Sequence, residues 1–149
     1  MKVAVAADHA GFDLKQWLAA ELGKGGYTII DLGVHSTAPS DYPDQAQLLG
    51  KAVLSGQAER GILVCGSGVG ASIAANKIIG IRAAVCHDYY SAHQGVEHDD
   101  MNILCLGSRI IGPMPALEIA QAFLTARFSN EERHARRVNK VKNMEQHQR

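Results

Sequence analysis

Apolar residues along this 149-residue chain follow two rhythms, short unbroken runs and longer stretches at helical spacing. The runs are residues 3–7, 27–32, 61–65, 81–86 and 102–106, and glycines at 33, 66 and 107 close three of them. Short apolar runs without polar alternation suit strands buried on both faces. Between them, Phe12, Trp17, Leu18 and Leu22 recur at near-helical spacing and stop at Gly25-Gly26. Ala46, Leu48, Leu49, Ala52, Val53 and Leu54 form a second such stripe, ended by Ser55-Gly56. An alanine-rich segment running to Asn76-Lys77 is compatible with a third helix, and residues 87–94 start a fourth. Pro113 and Pro115 suit the first turn of a fifth, whose inner face is Ala116, Ile119, Ala120, Phe123 and Leu124.

This alternation predicts a Rossmann-like, doubly wound α/β fold: a five-stranded parallel sheet with helices on both faces and right-handed crossovers. The expected strand order is 2-1-3-4-5. One domain is expected over 1–149, long enough to bury a core, with 130–149 as a C-terminal helical arm. The arm holds six Lys or Arg against three Glu, and Arg133 and Arg137 stand four apart, on one helix face. Val138, Val141 and Met144 offer a contact stripe. The arm reads as a solvated terminal helix or as a basic arm docking onto a site across a dimer.

Charge removes some partners. Lys plus Arg equals Asp plus Glu at 15 each, so global charge argues for neither nucleic acid nor membrane. No apolar run approaches the ~18 residues of a membrane span. Asp8 interrupts the first run where a signal peptide would continue, so that run reads as a strand. Cys65, Cys86 and Cys105 lack paired secretory spacing, which implies a reducing compartment, the cytoplasm by default.

In doubly wound folds ligands bind outside the carboxyl ends of the strands. Asp8-His9, Cys65, Cys86-His87 and Arg109 all fall at such ends. The polar loop through Ser36, Pro39, Asp41, Tyr42 and Pro43 is longer than a crossover needs, as functional loops often are. The densest stretch is 62–75. A strand meets Cys65, then Gly66, Gly68 and Gly70, then a helix, so backbone N–H groups gather at an anion cradle beside a thiol.

Three chemistries compete for these parts. Gly66-x-Gly68-x-x-Ala71 matches a dinucleotide fingerprint, with Asp88 near the spacing of a ribose-binding acid. Against it, the loop follows the third strand and Asp88 lies past its own. Metal binding by Cys65, Cys86, Cys105, His87, His93 and His98 lacks the usual short ligand spacings, so no metal is expected. Proton transfer next to a carbonyl uses the parts together: a thiolate as base, loop N–H groups for an enediolate oxygen, and arginines for a distant phosphate. A histidine within Glu97-His98-Asp99-Asp100 stays able to exchange protons near neutral pH. That segment enters the sheet at its amino end, so either its loop folds upward or a partner presents it.

At these residues the chain resembles the type B ribose-5-phosphate isomerases, a family that includes galactose-6-phosphate and allose-6-phosphate isomerases. The resemblance runs end to end through Asp8-His9-x-Gly11, Asp41-Tyr42-Pro43, Cys65-Gly-Ser-Gly-Val-Gly70, Ala74-Ala-Asn-Lys77, His98, Gly107-Ser-Arg109 and Arg133-His-x-x-Arg137. It implies an aldose–ketose isomerase with Cys65 as base for the C1/C2 proton and His98 as acid/base for ring opening. It implies Gly66, Ser67, Gly68, Val69 and Gly70 as the anion loop, Ser67 adding a hydroxyl near the reacting oxygens. Asp8, His9 and Tyr42 would contact the sugar, and Arg109, Arg133 and Arg137 the phosphate or sugar. The last two would come from the partner of a homodimer with shared sites, leaving open whether dimers pair into tetramers. No cofactor is implied. Ala71 stands where some relatives carry a glutamate base, which leaves Cys65 as the matching base. Asp99 stands where ribose-specific members usually carry asparagine; an ionised aspartate only accepts hydrogen bonds. A hexose 6-phosphate therefore remains an alternative to ribose 5-phosphate, and a nucleotide-binding module a more distant one.

Overall fold

The computed structural model describes residues 1–147. Within them, five strands alternate with helices: β1 (Lys2–Ala7), α1 (Phe12–Lys24), β2 (Thr28–Asp31), α2 (Tyr42–Leu54), β3 (Arg60–Cys65), α3 (Val69–Ala75), β4 (Ala83–Val85), α4 (Tyr89–Asp99), β5 (Ile103–Gly107), α5 (Pro113–Thr125) and α6 (Glu132–Gln146). All strand pairs are parallel. The doubly wound α/β expectation is borne out.

The strand order is β2-β1-β3-β5-β4, which corrects the expected 2-1-3-4-5 at its last two places. The reason is burial. Ile103, Leu104, Cys105 and Leu106 of β5 are all 0 % exposed, a run that needs neighbours on both sides and helices on both faces. β4 offers only Ala83-Ala84-Val85, each half-buried, and suits an edge. Its outer edge is covered: the Asn76 side-chain amide donates to the Ala83 carbonyl (2.8 Å) and its oxygen accepts the Ala83 N–H (2.8 Å). One asparagine thus does for the edge what a further strand would do.

One core layer packs Leu18 and Leu22 of α1, Ala92 and Val96 of α4, and Phe123 of α5 over Val5, Ile62, Leu104 and Leu106. The other packs Ala46 and Leu49 of α2 and Ala71 and Ala75 of α3 over Ala4, Leu63, Ile103 and Cys105. Gly11 allows α1 to approach β3, because a methyl there would overlap the Val64 carbonyl. Lys15 on α1 is buried, and its ammonium donates to Asp31 Oδ1 (2.6 Å) and the Val34 carbonyl (2.7 Å). That pins the turn leaving β2.

Two boundaries differ from the periodicity. α2 starts at Tyr42, ahead of the apolar stripe, because Pro43 in the first turn already has a helical φ. The arm is a helix from Glu132 that packs on α4 through buried His134 and Val138, while Val141 and Met144 stay exposed at 46 % and 62 %.

Candidate active site

Loops from the carboxyl ends of β1, β3 and β5, with the start of α2, meet around a cavity of about 320 Å³. Cys65 ends β3 at its floor, 5 % exposed. Gly68, at φ +82°, turns the loop back so that its N–H donates to Cys65 Sγ at 3.1 Å. Ser67 stands at the crest of the loop, its hydroxyl accepting the Val69 N–H (3.2 Å). α3 then begins, with first-turn N–H groups free of helical partners.

The other two glycines of the loop have ordinary backbone angles and act by leaving room for side chains. Gly66 makes room for Arg109, since a methyl at 66 would lie 3.2 Å from the guanidinium Nη1. Gly70 does the same for Tyr42, whose ring atom Cζ would be 2.6 Å from such a methyl. Each is the seat of a side chain lining the cavity. The β5 turn grips the loop from the far side: Ser108 N–H donates to the Cys65 carbonyl (2.8 Å) and Arg109 N–H to that of Gly66 (3.0 Å).

Asp8 is buried at the end of β1, where Oδ1 accepts the Gly11 N–H (3.0 Å) and so starts α1. His9 is tied to the long polar loop. Its N–H donates to Ser40 Oγ (3.0 Å), and its Nδ1 lies within hydrogen-bond distance of both the Ser40 N–H (3.1 Å) and the Ser40 carbonyl (3.2 Å). A larger groove of about 470 Å³ adjoins through Ala10 and Arg109, floored by Trp17, and does not reach Cys65.

The three cysteines separate by environment. Burial pushes the Cys86 thiol up to about 11 and raises Cys105 further, so both stay protonated. Cys65 alone lines the cavity. Asp88 accepts the Ser91 N–H (2.7 Å) as the cap of α4, a capping role for the acid that the dinucleotide reading needed. Among the described residues no three His, Cys, Asp or Glu side chains converge to hold a metal ion.

The fold therefore brings Asp8, His9, Tyr42, Cys65, Gly66, Ser67, Gly70 and Arg109 to one cavity, with Gly68 and Val69 in the loop between. It keeps His98, Asp99, Arg133 and Arg137 apart from that cavity. His98 is in the last turn of α4, at the amino end of the sheet, where Asn102 accepts the Gly61 N–H (3.0 Å). Gly61 and Cys65 are four strand residues apart, about 13 Å at the usual rise. The His98 ring stacks on His134 (4.0 Å between centroids, 25° between planes) and bonds the Gln94 amide (2.8 Å). Arg133 Nε donates to His134 Nε2 (3.3 Å), so His134 Nδ1 carries the proton toward Ser129 Oγ (2.7 Å). Burial first, then His98 and Arg133, hold His134 below the ordinary imidazole range. Asp99 and Arg137 are exposed.

Sequence reasoning missed the hold of Ser40 on His9 and the seating of Arg109 and Tyr42 on glycines, because both are contacts between distant loops. It also gave His134 no part. The signal was present: His134 and Val138 are four apart and mark the inner face of α6.

A thiol under a backbone N–H, a crest hydroxyl and an arginine at the carboxyl edge of a parallel sheet define a site for proton transfer on a small anionic molecule. The ribose/galactose isomerase family matches residues 3–141, and the chain belongs to that family. It is 44 % identical to ribose-5-phosphate isomerase B of Escherichia coli, over 97 % of both chains. It is 43 % identical to a D-erythrulose-4-phosphate isomerase of Pectobacterium atrosepticum, over 86 % of this chain and 85 % of that one. The structure of Clostridium thermocellum ribose-5-phosphate isomerase B superposes with a TM-score of 0.97 over all of both chains, at 46 % identity. The family resemblance drawn from the motifs is borne out, and with it an aldose–ketose isomerase.

Proposed function

We propose that the protein interconverts ribose 5-phosphate and ribulose 5-phosphate through an enediolate, with Cys65 as the base. The carrying observation is the Cys65 sulfur beneath the Gly68 N–H on the floor of the cavity. From the open-chain aldose the thiolate takes the C2 proton, and the electron pair moves toward the carbonyl oxygen. Amides of the 66–70 loop and the Ser67 hydroxyl hold the charge that develops there. The thiol then returns the proton to C1, while the hydroxyl proton passes from O2 to O1, giving the ketose. Gly66, Gly68, Val69 and Gly70 frame the enediolate, Asp8, His9 and Tyr42 orient the sugar hydroxyls, and Arg109 takes the phosphate.

The active unit in this reading is a homodimer. His98, for ring opening, and Asp99, Arg133 and Arg137, for sugar and phosphate, serve the cavity of the other protomer. Their distance from their own cavity supports that arrangement, as does the exposed stripe of Val141 and Met144. Three free cysteines suit a reducing compartment, and the enzyme is assigned to the cytoplasm.

A second reading keeps the chemistry and changes the sugar. Asp99 only accepts hydrogen bonds when ionised, which favours a substrate presenting a hydroxyl donor where an asparagine would meet an acceptor. The 43 % identity to a D-erythrulose-4-phosphate isomerase supports a wider substrate range. Turnover assayed with chelator over tetrose, pentose and hexose phosphates decides between them. Ribose 5-phosphate is expected to give the highest kcat/KM, with solvent deuterium entering the substrate carbon. A different preferred sugar transfers the assignment to it, and absence of turnover on the whole panel overturns the reading.

A further inference from the structure

His87 follows β4 at the carboxyl edge of the sheet, and the proton transfer described above gives it no work. Its surroundings do. On the β3 side, β5 is paired as far as Ser108, whose N–H meets the Cys65 carbonyl. On the other side the ladder with β4 runs through Val85 and Cys86, whose N–H reaches the Cys105 carbonyl (3.3 Å). Beyond that the chain turns toward α4, leaving the Gly107 N–H without a strand to accept it. A buried N–H left so is costly. The His87 ring fills the gap, its Nε2 accepting the Gly107 N–H at 2.9 Å.

Gly107 is a constrained position. A methyl on its Cα would lie 2.6 Å from the Ser67 carbonyl, so β5 presses directly on the crest of the anion loop. Ser108 and Arg109 follow at once, holding the Cys65 and Gly66 carbonyls, while Ser108 Oγ donates to the Ala10 carbonyl (2.8 Å). One turn thus ties the base, the loop, the phosphate arginine and the β1 loop together.

We infer that His87, as neutral imidazole, is a positioning residue that holds the Gly107–Arg109 turn against the Cys65 loop, so that protonating it loosens the site. This rests on the isomerase reading above. Nε2 accepts only while it lacks a proton; the imidazolium would point a donor at a donor. The surroundings agree. Desolvation holds His87 below the ordinary imidazole range. Cys86 and Cys105 beside it stay neutral, Asp88 is engaged by the Ser91 N–H, Arg109 lies over Gly66, and α3 carries no titratable side chain. The bond is therefore present at neutral pH and is lost as pH falls through the lowered His87 pKa.

The test has two readings. Imidazole nitrogen NMR of the whole protein is expected to show His87 protonated on Nδ1 near neutral pH, titrating below a free histidine, whether or not any sugar turns over. For activity, His87→Gln keeps a neutral acceptor and His87→Ala removes it. At about pH 8 the His87→Ala enzyme is expected to be about tenfold below wild type in kcat/KM and His87→Gln close to it; as pH falls through the lowered His87 pKa, wild type should drop to meet His87→Ala, so that His87→Gln gains on it by about tenfold. A proton on Nε2, or parallel pH profiles for wild type and His87→Gln, overturns the inference. Failure of wild type itself to isomerise any sugar, with the NMR as expected, overturns the functional reading and leaves the His87 bond standing.

Discussion

Two regions carry the residues singled out for chemistry, and they are built in opposite ways. Around Cys65 every piece is held from behind: the Gly68 N–H on the sulfur, Ser108 and Arg109 on the loop carbonyls, Ser40 on His9, Gly70 under Tyr42. At the junction of α4 and α6 the residues are held loosely. His98 and His134 stack on each other, but among the described residues Arg133 pairs only with exposed Glu131 and with His134, and Arg137 and Asp99 face solvent. One region is preorganised within a single chain. The other has side chains suited to a phosphorylated sugar that do not line the Cys65 cavity of their own chain. A sheet fixes what lies at its strand ends, whereas a terminal helix resting on two buried residues is free to serve a neighbour.

The contrast is broken most severely at the sulfur. Cys65→Ala is expected to lower kcat by at least about 10³-fold and to abolish exchange of the substrate's carbon-bound proton, with circular dichroism unchanged. Retained exchange would move the base elsewhere.

The second test separates the regions by chain. Cys65→Ala and His98→Ala homodimers should each be nearly inactive. Unfolding and refolding them together should restore roughly a quarter of wild-type activity, since half the dimers are mixed and each has one intact site. No recovery would mean that His98 and Cys65 serve from the same chain or not at all.

The third strikes the seating of Tyr42. Gly70→Ala is expected to raise KM on the order of tenfold by pushing the ring from its place, and Tyr42→Ala in the same chain should make the added methyl harmless. If the double variant were worse than either single change, the contact would not be what Gly70 is for.

The smallest effect is a pH dependence of the looser region. His134 titrates below the usual imidazole value in the folded chain, so its neutral form favours the folded packing. That contribution is complete above the unfolded histidine pKa of about 6.5 and is lost as pH falls through the lowered value. Amide exchange in α6 should therefore quicken on acidification before β3 and β5 change, and His134→Gln should flatten the difference.

Much of the Cys65 region was legible in the chain. Apolar runs of strand length, glycines closing them and proline at helix starts mark where strands end, and in a parallel sheet those ends converge. Asp8, His9, Cys65 and Arg109 were placed by that rule alone, and Ser67 by the family resemblance. Which strand stands at the edge was not legible from order along the chain, because right-handed crossovers permit both 3-4-5 and 3-5-4. Burial of both faces of β5, and Asn76 covering Ala83, decide for the second. The glycine roles were half legible: Gly68 needs its positive φ, but only the folded molecule brings Arg109 to Gly66 and Tyr42 to Gly70.

By itself, then, the sequence determined the α/β class, the end of the sheet that carries the site, and the thiol and loop at its centre, because these follow from spacing along a few adjacent residues. Tertiary structure decided the strand order, the partners that hold each loop, and the separation of His98, Arg133 and Arg137 from their own cavity. Those depend on contacts between segments far apart in the chain, whose geometry local periodicity does not encode.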